Sequence, residues 1–270
     1  MRANMPHPSG LITLLTDFGD RDAFVASMKG VILTINPQAT LVDISHQVPP
    51  HSIEEAAYLL KSCYRYFPDG TVHVAVVDPG VGSARRPLIA KSERYYFLAP
   101  DNGLLTPILA EDRHMEVREI ESANYRLTSL GHTFDGRDLF APAAAWLTKG
   151  EPVSSFGRVI DHPVMRSITD PVWQGQSLVG QIEYVDRFGN LISNVTVKLL
   201  QEFLAVVGRQ HPIMYIGTYT IYGLVASYSE GRSDIPSALI NSCGKLEIFL
   251  DRHHAAQRLQ LGVGGEIRLC

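Results

Sequence analysis

Three short apolar runs in the first eighty residues, Leu11–Thr16, Thr40–Ser45 and Thr71–Val77, are dense in β-branched side chains. That pattern predicts strands buried in a sheet. After the first, apolar Phe24, Met28, Val31, Ile32 and Ile35 recur at helical spacing, so a helix is expected from Asp22 to Ile35, ended by Asn36-Pro37. After the second, Ser52-Ile53-Glu54-Glu55 reads as a capping box opening a helix through Cys63. Pro87–Ala90 and Tyr95–Leu98 read as strands about a Ser92-Glu93-Arg94 turn, and Leu104–Leu109 and Gly136–Leu147 as helices. Strand–helix alternation of this kind predicts an α/β fold with a mostly parallel sheet covered by helices.

From about Trp173 the period changes to that of strands. Ser177–Val185, Leu191–Val197, Ile213–Tyr222, Leu239–Asn241, Leu246–Leu250 and Glu266–Leu269 are separated by glycine-rich turns, with one helical piece at Lys198–Leu204. A small all-β module, barrel or sandwich, is expected there. The division is an N-terminal α/β domain over residues 10–170 and a smaller β domain over 177–270. Thr169–Gln176, with Pro171 and Gly175, is the junction.

Composition narrows the function classes. With 45% hydrophobic and 19% charged residues in 270, the chain is globular and long enough to bury a substantial core. A formal charge of −4 without a basic stripe argues against nucleic acid, Arg85-Arg86 being too small a footprint. Three scattered cysteines, Cys63, Cys243 and Cys270, fit a reducing compartment. No apolar stretch approaches the roughly 18 residues of a membrane span. The first residues lack a secretory apolar core, so the cytoplasm is expected.

The candidate chemistry lies at strand ends. Asp17, Asp43 and Asp78 stand at or near the carboxyl ends of the three apolar runs, where open α/β sheets bind ligands. Asp78 opens the loop Asp78-Pro79-Gly80-Val81-Gly82-Ser83-Ala84-Arg85-Arg86-Pro87. Turn capping alone would also explain an aspartate and glycines there. No metal site is expected: His253-His254 are adjacent and lack companion ligands. Gly262-x-Gly264-Gly265 has no helix after it, and Ser83 and Ser242 sit in no G-x-S-x-G elbow.

Six motifs carry a resemblance in one order. They are Thr16-Asp17-Phe18-Gly19, Asp78-Pro79-Gly80-Val81-Gly82 with Arg85, Asn102-Gly103-Leu104-Leu105, Thr133-Phe134-x-Gly136-Arg137-Asp138, Phe188-Gly189-Asn190 and Asn241-Ser242-x-Gly244. From about Leu11 to Leu269 the chain resembles the S-adenosylmethionine (SAM) hydroxide adenosyltransferases, the adenosine-forming SAM hydrolases related to fluorinase and chlorinase. The resemblance implies a C-terminal β-barrel and a homotrimer whose sites lie between subunits. It also implies conversion of SAM and water to adenosine and L-methionine without metal or redox cofactor. Carried onto this chain, Asp17 holds the ribose hydroxyls, Asn190 and Ser242 line the adenosine side, and Asp22 and Asp186 the methionine end. Phe18, Phe188 and Glu247 complete the expected substrate-binding set, and Asp78, Arg85 and Asp135 the catalytic one.

Two departures qualify that reading. The family's Asp–Arg–His constellation has its histidine where this chain has Asp135. With an ionised Asp135 the local charge falls from zero to −1, and neighbouring carboxylates normally raise one pKa, so a shared proton is expected. His132, three residues upstream, is read as a surface or loop histidine. The second departure is Phe249-Leu250-Asp251-Arg252-His253-His254, bulkier than the family's small residues and read as a solvated turn. A SAM-dependent halogenase is disfavoured, since a halide about 4 Å from Asp78 meets roughly 4 kcal/mol of repulsion at an effective dielectric near 20. A non-catalytic SAM or adenosine binder is the remaining alternative.

Overall fold

The structure is a computed structural model that describes residues 7–112, 114–128, 131 and 133–270. The chain divides into two compact units, Met1–Ile168 and Thr169–Cys270.

In the first unit the order is β1 (Leu11–Thr16), α1 (Phe24–Ile35), β2 (Thr40–Ser45), α2 (Ile53–Cys63), β3 (Val72–Val76), β4 (Pro87–Lys91), β5 (Tyr96–Pro100), α3 (Thr106–Glu111), β6 (Glu116–Glu119) and α4 (Ala141–Thr148). The sheet runs β2-β1-β3-β5-β4-β6. β1, β2, β3 and β5 are parallel, and β4 is antiparallel to both β5 and β6. Alternation along the strands sends side chains to two cores. Ile12, Leu14, Val72, Val74 and Val76 meet Met28, Ile32 and Phe140 on one face. Leu15, Ala75 and Val77 meet Ala56, Leu60 and Ile108 on the other. Because the parallel strands point the same way, the carboxyl ends of β1 and β3 place Asp17 and Asp78 on one rim.

His73, on the second face, is fully buried among Tyr64, Phe67, Tyr95 and Phe97, its ring stacked 5.2 Å from that of Phe97. Its Nδ1 lies 2.8 Å from Thr13 Oγ1. Burial pushes its pKa down from 6.5 to about 3. Below pH 6.5 the unfolded chain therefore binds a proton that the folded chain refuses, and stability falls as pH drops from 6.5 towards 3. At pH 5 this loss is about 2 kcal/mol. Denaturant titrations of the wild type and His73→Leu at pH 7.5 and 5 check it: the variant is expected to lose less stability on acidification.

The second unit comprises β7 (Val172–Gln174), β8 (Ser177–Val185), β9 (Leu191–Thr196), α5 (Val197–Val207), β10 (Ile213–Ile216), β11 (Tyr219–Tyr222), β12 (Ser237–Ile240), β13 (Lys245–Phe249), α6 (Ala255–Leu259) and β14 (Glu266–Leu269). The antiparallel order is β11-β10-β14-β8-β9-β13-β12, with β7 on β8. β8 turns the corner: its first half pairs with β14 and β7, its second half with β9. The Val225 amide, just past β11, donates to Ala238 of β12 at 2.9 Å, so the sheet curls nearly shut into a barrel. Leu178, Ile182, Val195, Phe203, Leu246 and Ile248 fill it.

Several elements differ from the sequence reading. Ser52 makes no side-chain cap at α2, because the chain enters that helix through a tight turn with His51 in the left-handed region at φ 69°. Ile213–Tyr222 is two strands, β10 and β11, reversed at Gly217, whose φ of 55° suits the turn. β6, β7 and α6 carry too few periodic residues to be recognised, and β7 occupies the segment read as a junction. Gly136–Phe140 is a π-helical turn running into α4. Such insertions are frequent at functional sites.

Candidate active site

Arg85 organises the rim of the first unit. Its Nε donates to Asp78 Oδ2 at 2.7 Å, and its Nη2 bonds both Asp78 Oδ2 and Asp135 Oδ2. The three side chains are 5%, 11% and 13% exposed for Asp78, Arg85 and Asp135. Burial opposes the guanidinium charge, but the bonds and charges of the two carboxylates outweigh it and hold the Arg85 pKa above its usual value. The sequence expectation of repulsion between two acids is answered by this geometry: one arginine lies against both. Ser83 Oγ accepts from the Arg85 amide at 3.2 Å, and the Phe140 ring supports the guanidinium at 5.7 Å. Asp78 Oδ1 is buried and has no hydrogen-bond partner among the described residues. That oxygen is the free acceptor of the group.

Asp17 and Phe18 leave β1 beside these groups. Asp17 Oδ2 accepts from the His51 amide at 2.9 Å. Phe18, Phe24 and Phe134 form an edge-packed aromatic cluster with ring centres 5.2–5.7 Å apart. A Cβ on Gly136 would stand 3.1–3.2 Å from Phe18, Met28 and Phe134, which explains the glycine next to Asp135. Asp22 is exposed ahead of α1. Asp43 turns away from this group. It bonds Lys29 at 2.6 Å and lies 3.1 Å from His46 Nε2. Burial opposes its charge, but these partners hold its pKa below the usual carboxylate value. Arg86 is structural, tying Asp101 to the His162 carbonyl. His132 lies outside the described residues.

The second unit gathers another set around a cavity of about 530 Å³ lined by Asp186, Phe188, Asn190, Tyr228, Phe249 and the segment through His254. Asp186 braces the turn after β8 by accepting from the amides of Phe188 and Asn190 and from Asn190 Nδ2 at 2.8–3.0 Å. Phe188 is thereby held 76% exposed. Gly189 has φ 85°, and a Cβ there would fall 2.2 Å from His254 Nδ1. Arg252 and His253 are exposed in a turn, as the sequence reading expects, and His254 ends it as the N-cap of α6, accepting from Gln257 N at 3.2 Å. Glu247 is 3% exposed, and both its oxygens are bonded, by Tyr228 Oη at 2.6 Å and Asn241 Nδ2 at 3.1 Å. It braces the Tyr228 ring that lines the cavity. Burial and that carboxylate push the Tyr228 pKa up. Ser242 is exposed in the β12–β13 turn and does not line the cavity.

Sequence reasoning missed Arg126, whose Nη2 is 4.0 Å from Asp135 Oδ1, and Tyr228, because neither lies in a recognisable motif. Among the described residues no group of three or more His, Cys, Asp or Glu side chains is placed to hold a metal. No described helix is long and apolar enough to cross a membrane.

The model of the SAM hydroxide adenosyltransferase N-terminal domain matches residues 12–157, and that of the C-terminal domain residues 180–268. The chain belongs to the SAM hydroxide adenosyltransferase family. Among its relatives, a protein of Thermus thermophilus named (R)-S-adenosyl-L-methionine hydrolase is 34% identical over 265 residues, spanning 96% of this chain and 98% of its own length. A protein of the same name from Methanocaldococcus jannaschii is 33% identical, over 96% and 95% of the two chains. A fluorinase of an Actinoplanes species is more distant, at 28% identity over 88% and 90%. A crystal structure of an uncharacterised conserved protein from Thermotoga maritima matches the fold with TM-score 0.87 at 33% identity, covering 96% of this chain and 99% of that one.

Proposed function

We propose that this protein is a SAM hydrolase in which water attacks C5′ of SAM and releases adenosine and L-methionine. The observation that carries the reading is the buried Asp78–Arg85–Asp135 group, with one Asp78 oxygen left to accept from a nucleophile. Family membership and the hydrolase names of its relatives support the substrate.

The sulfonium makes C5′ electrophilic, and methionine leaves as a neutral thioether, so the leaving group needs no acid and the chemistry no metal or cofactor. What remains is to hold water in line with the C5′–S bond and to accept its proton. Asp78, fixed by Arg85, does both through its free oxygen. The Phe18–Phe134 wall excludes bulk water, and Asp17 is the ribose-hydroxyl acceptor. In the second unit the exposed Phe188 ring offers flat apolar surface to adenine, with Asn190 as the polar contact that the resemblance implies. Asp22 and Asp186 complete the substrate-binding set implied by the resemblance, and Ser242, outside the cavity lining, is left out of it. A halide is disfavoured beside Asp78 and Asp135 because like charges repel strongly in a partly buried site.

Incubation with SAM in ¹⁸O-labelled water, with a chelator present, is expected to yield adenosine labelled at the 5′-hydroxyl. Adenosine formation abolished by the chelator would remove the metal-free mechanism. Intact SAM bound without turnover would leave a binding protein instead. We also propose a cytoplasmic homotrimer, for which the family resemblance and cysteine usage are the support. Light scattering of the same sample reads the assembly, and a monomer with full activity would overturn it.

A further inference from the structure

The hydrolase reading leaves one product without an exit. The SAM cation and water become neutral adenosine and methionine plus a proton, and that proton must leave a site whose two carboxylates are almost buried. Arg85 cannot carry it, because a guanidinium stays protonated. Asp78, 5% exposed, does not line any solvent-side cavity described next to the group. Asp135 does. A polar cavity of about 270 Å³ lies against it, bounded by Arg85, Asp135, Arg126, Glu119 and Glu121 among others.

The connectivity has a direction. Asp135 Oδ2 shares Arg85 Nη2 with Asp78, and Asp135 Oδ1 lies 4.0 Å from Arg126 Nη2. The same carboxylate therefore touches the reacting group with one oxygen and faces a half-exposed arginine with the other. Among the described residues the charged groups around Asp135 are Arg85 and Asp78 from the β3–β4 loop, Arg126 from the segment after β6, and Arg137 and Asp138, which pair with each other. Across the cavity Glu119 is held by Arg158 at 2.8 Å, and Glu121 lies 3.5 Å from the same arginine. The far wall thus sets two carboxylates against one arginine, and Asp135 is the carboxylate of this cavity that also contacts the catalytic pair.

We propose that this cavity is the exit for the reaction's proton, with Asp135 as the relay and Arg126 as a positioning residue that aims the outer Asp135 oxygen into the cavity. The proposal rests on the hydrolase reading. As the water oxygen bonds to C5′, the C5′–S electron pair passes to sulfur, and the water proton passes to the Asp78–Asp135 pair. Asp135 then yields that proton to water in the cavity, and both carboxylates return to their starting state.

Wild-type turnover of SAM is measured first; its absence defeats the hydrolase reading rather than the relay. Given turnover, Asp135→Ala is expected to lower kcat at pH 7 by about 10²-fold, the range of a lost proton-transfer group. Formate or imidazole, small enough for the cavity, is expected to restore activity in proportion to its concentration, while a bulky buffer of similar pKa does not. A kcat within threefold of wild type, no restoration, or equal restoration by small and bulky buffers overturns the exit. If Asp135→Ala does not fold, Asp135→Asn keeps the shape. A raised solvent deuterium isotope effect on its kcat supports the relay, and an unchanged one overturns it. Arg126→Gln removes the group that faces the outer Asp135 oxygen, so kcat is expected to fall severalfold with KM for SAM unchanged and the solvent deuterium isotope effect to rise. An unchanged kcat and isotope effect overturn the part given to Arg126.

Discussion

Asp78→Asn is expected to lower kcat for adenosine formation by about 10²–10⁴-fold, the span of a lost general base. The amide keeps the size of the side chain and one acceptor oxygen for Arg85, so the fold persists. What disappears is the buried anionic oxygen that has no other hydrogen-bond partner among the described residues. The split between binding and turnover is informative. The sulfonium charge fades as the C5′–S bond breaks, so attraction between Asp78 and sulfur favours bound substrate over the transition state. Loss of that attraction weakens SAM binding, whereas loss of the water contact lowers kcat. Single-turnover quenched-flow assays, with SAM affinity measured by calorimetry, separate the two. A kcat within threefold of wild type would show that Asp78 neither orients nor deprotonates the nucleophile.

Arg85→Met is expected to be damaging in a different way. It leaves Asp78 and Asp135, 5% and 13% exposed, facing each other without the cation that bonds both. Removing one partner of a buried ion pair typically costs about 3–5 kcal/mol, because the remaining charge stays desolvated. For a unit of this size each kcal/mol lowers the melting temperature by about 2–4 °C, so a fall on the order of 10 °C is expected at pH 7. Protonating the stranded carboxylates relieves the penalty, so the deficit should shrink as pH is lowered towards 4. The double variant Arg85→Met/Asp78→Asn should recover part of the loss at pH 7, since the two residues are in contact and their effects are not additive. Scanning calorimetry of the three proteins checks this. Equal deficits for the single and double variants would show that Arg85 stabilises the fold through packing on Phe140 rather than through charge.

Much of this was legible in the chain. The apolar runs at Leu11–Thr16 and Thr40–Ser45 match β1 and β2 end to end, as Ser177–Val185 and Glu266–Leu269 match β8 and β14. β1, β8 and β14 are buried on at least one face, whereas β2 is only partly buried, short of the burial its apolar run predicts, and is recognised by its apolar and β-branched residues. The elements that escaped notice are short or reversed at a single residue. β10 and β11 join through Gly217, and α6 spans only Ala255–Leu259, too brief for periodicity to register. The capping box at Ser52 was written in the residues yet not formed, because backbone geometry at His51 decided how the chain enters α2.

The same division holds at the candidate site. Residue order alone determined that Asp78 and Arg85 share one loop, that both are candidates for chemistry, and that the chain belongs with SAM-acting proteins. It also determined that Asp135 would change the local charge. Local sequence carries this because strand ends, turns and charges are set by near neighbours. Only the tertiary structure decided that one guanidinium nitrogen bonds both acids, that Arg126 stands behind Asp135, and that Asp43 is held by Lys29 and His46. Glu247 is the plainest case: the sequence reads it as a substrate contact, while the barrel closes Tyr228 and Asn241 over both its oxygens. Side chains separated by tens of residues meet through packing, and a carboxylate's partners depend on which donors the fold brings within hydrogen-bonding distance.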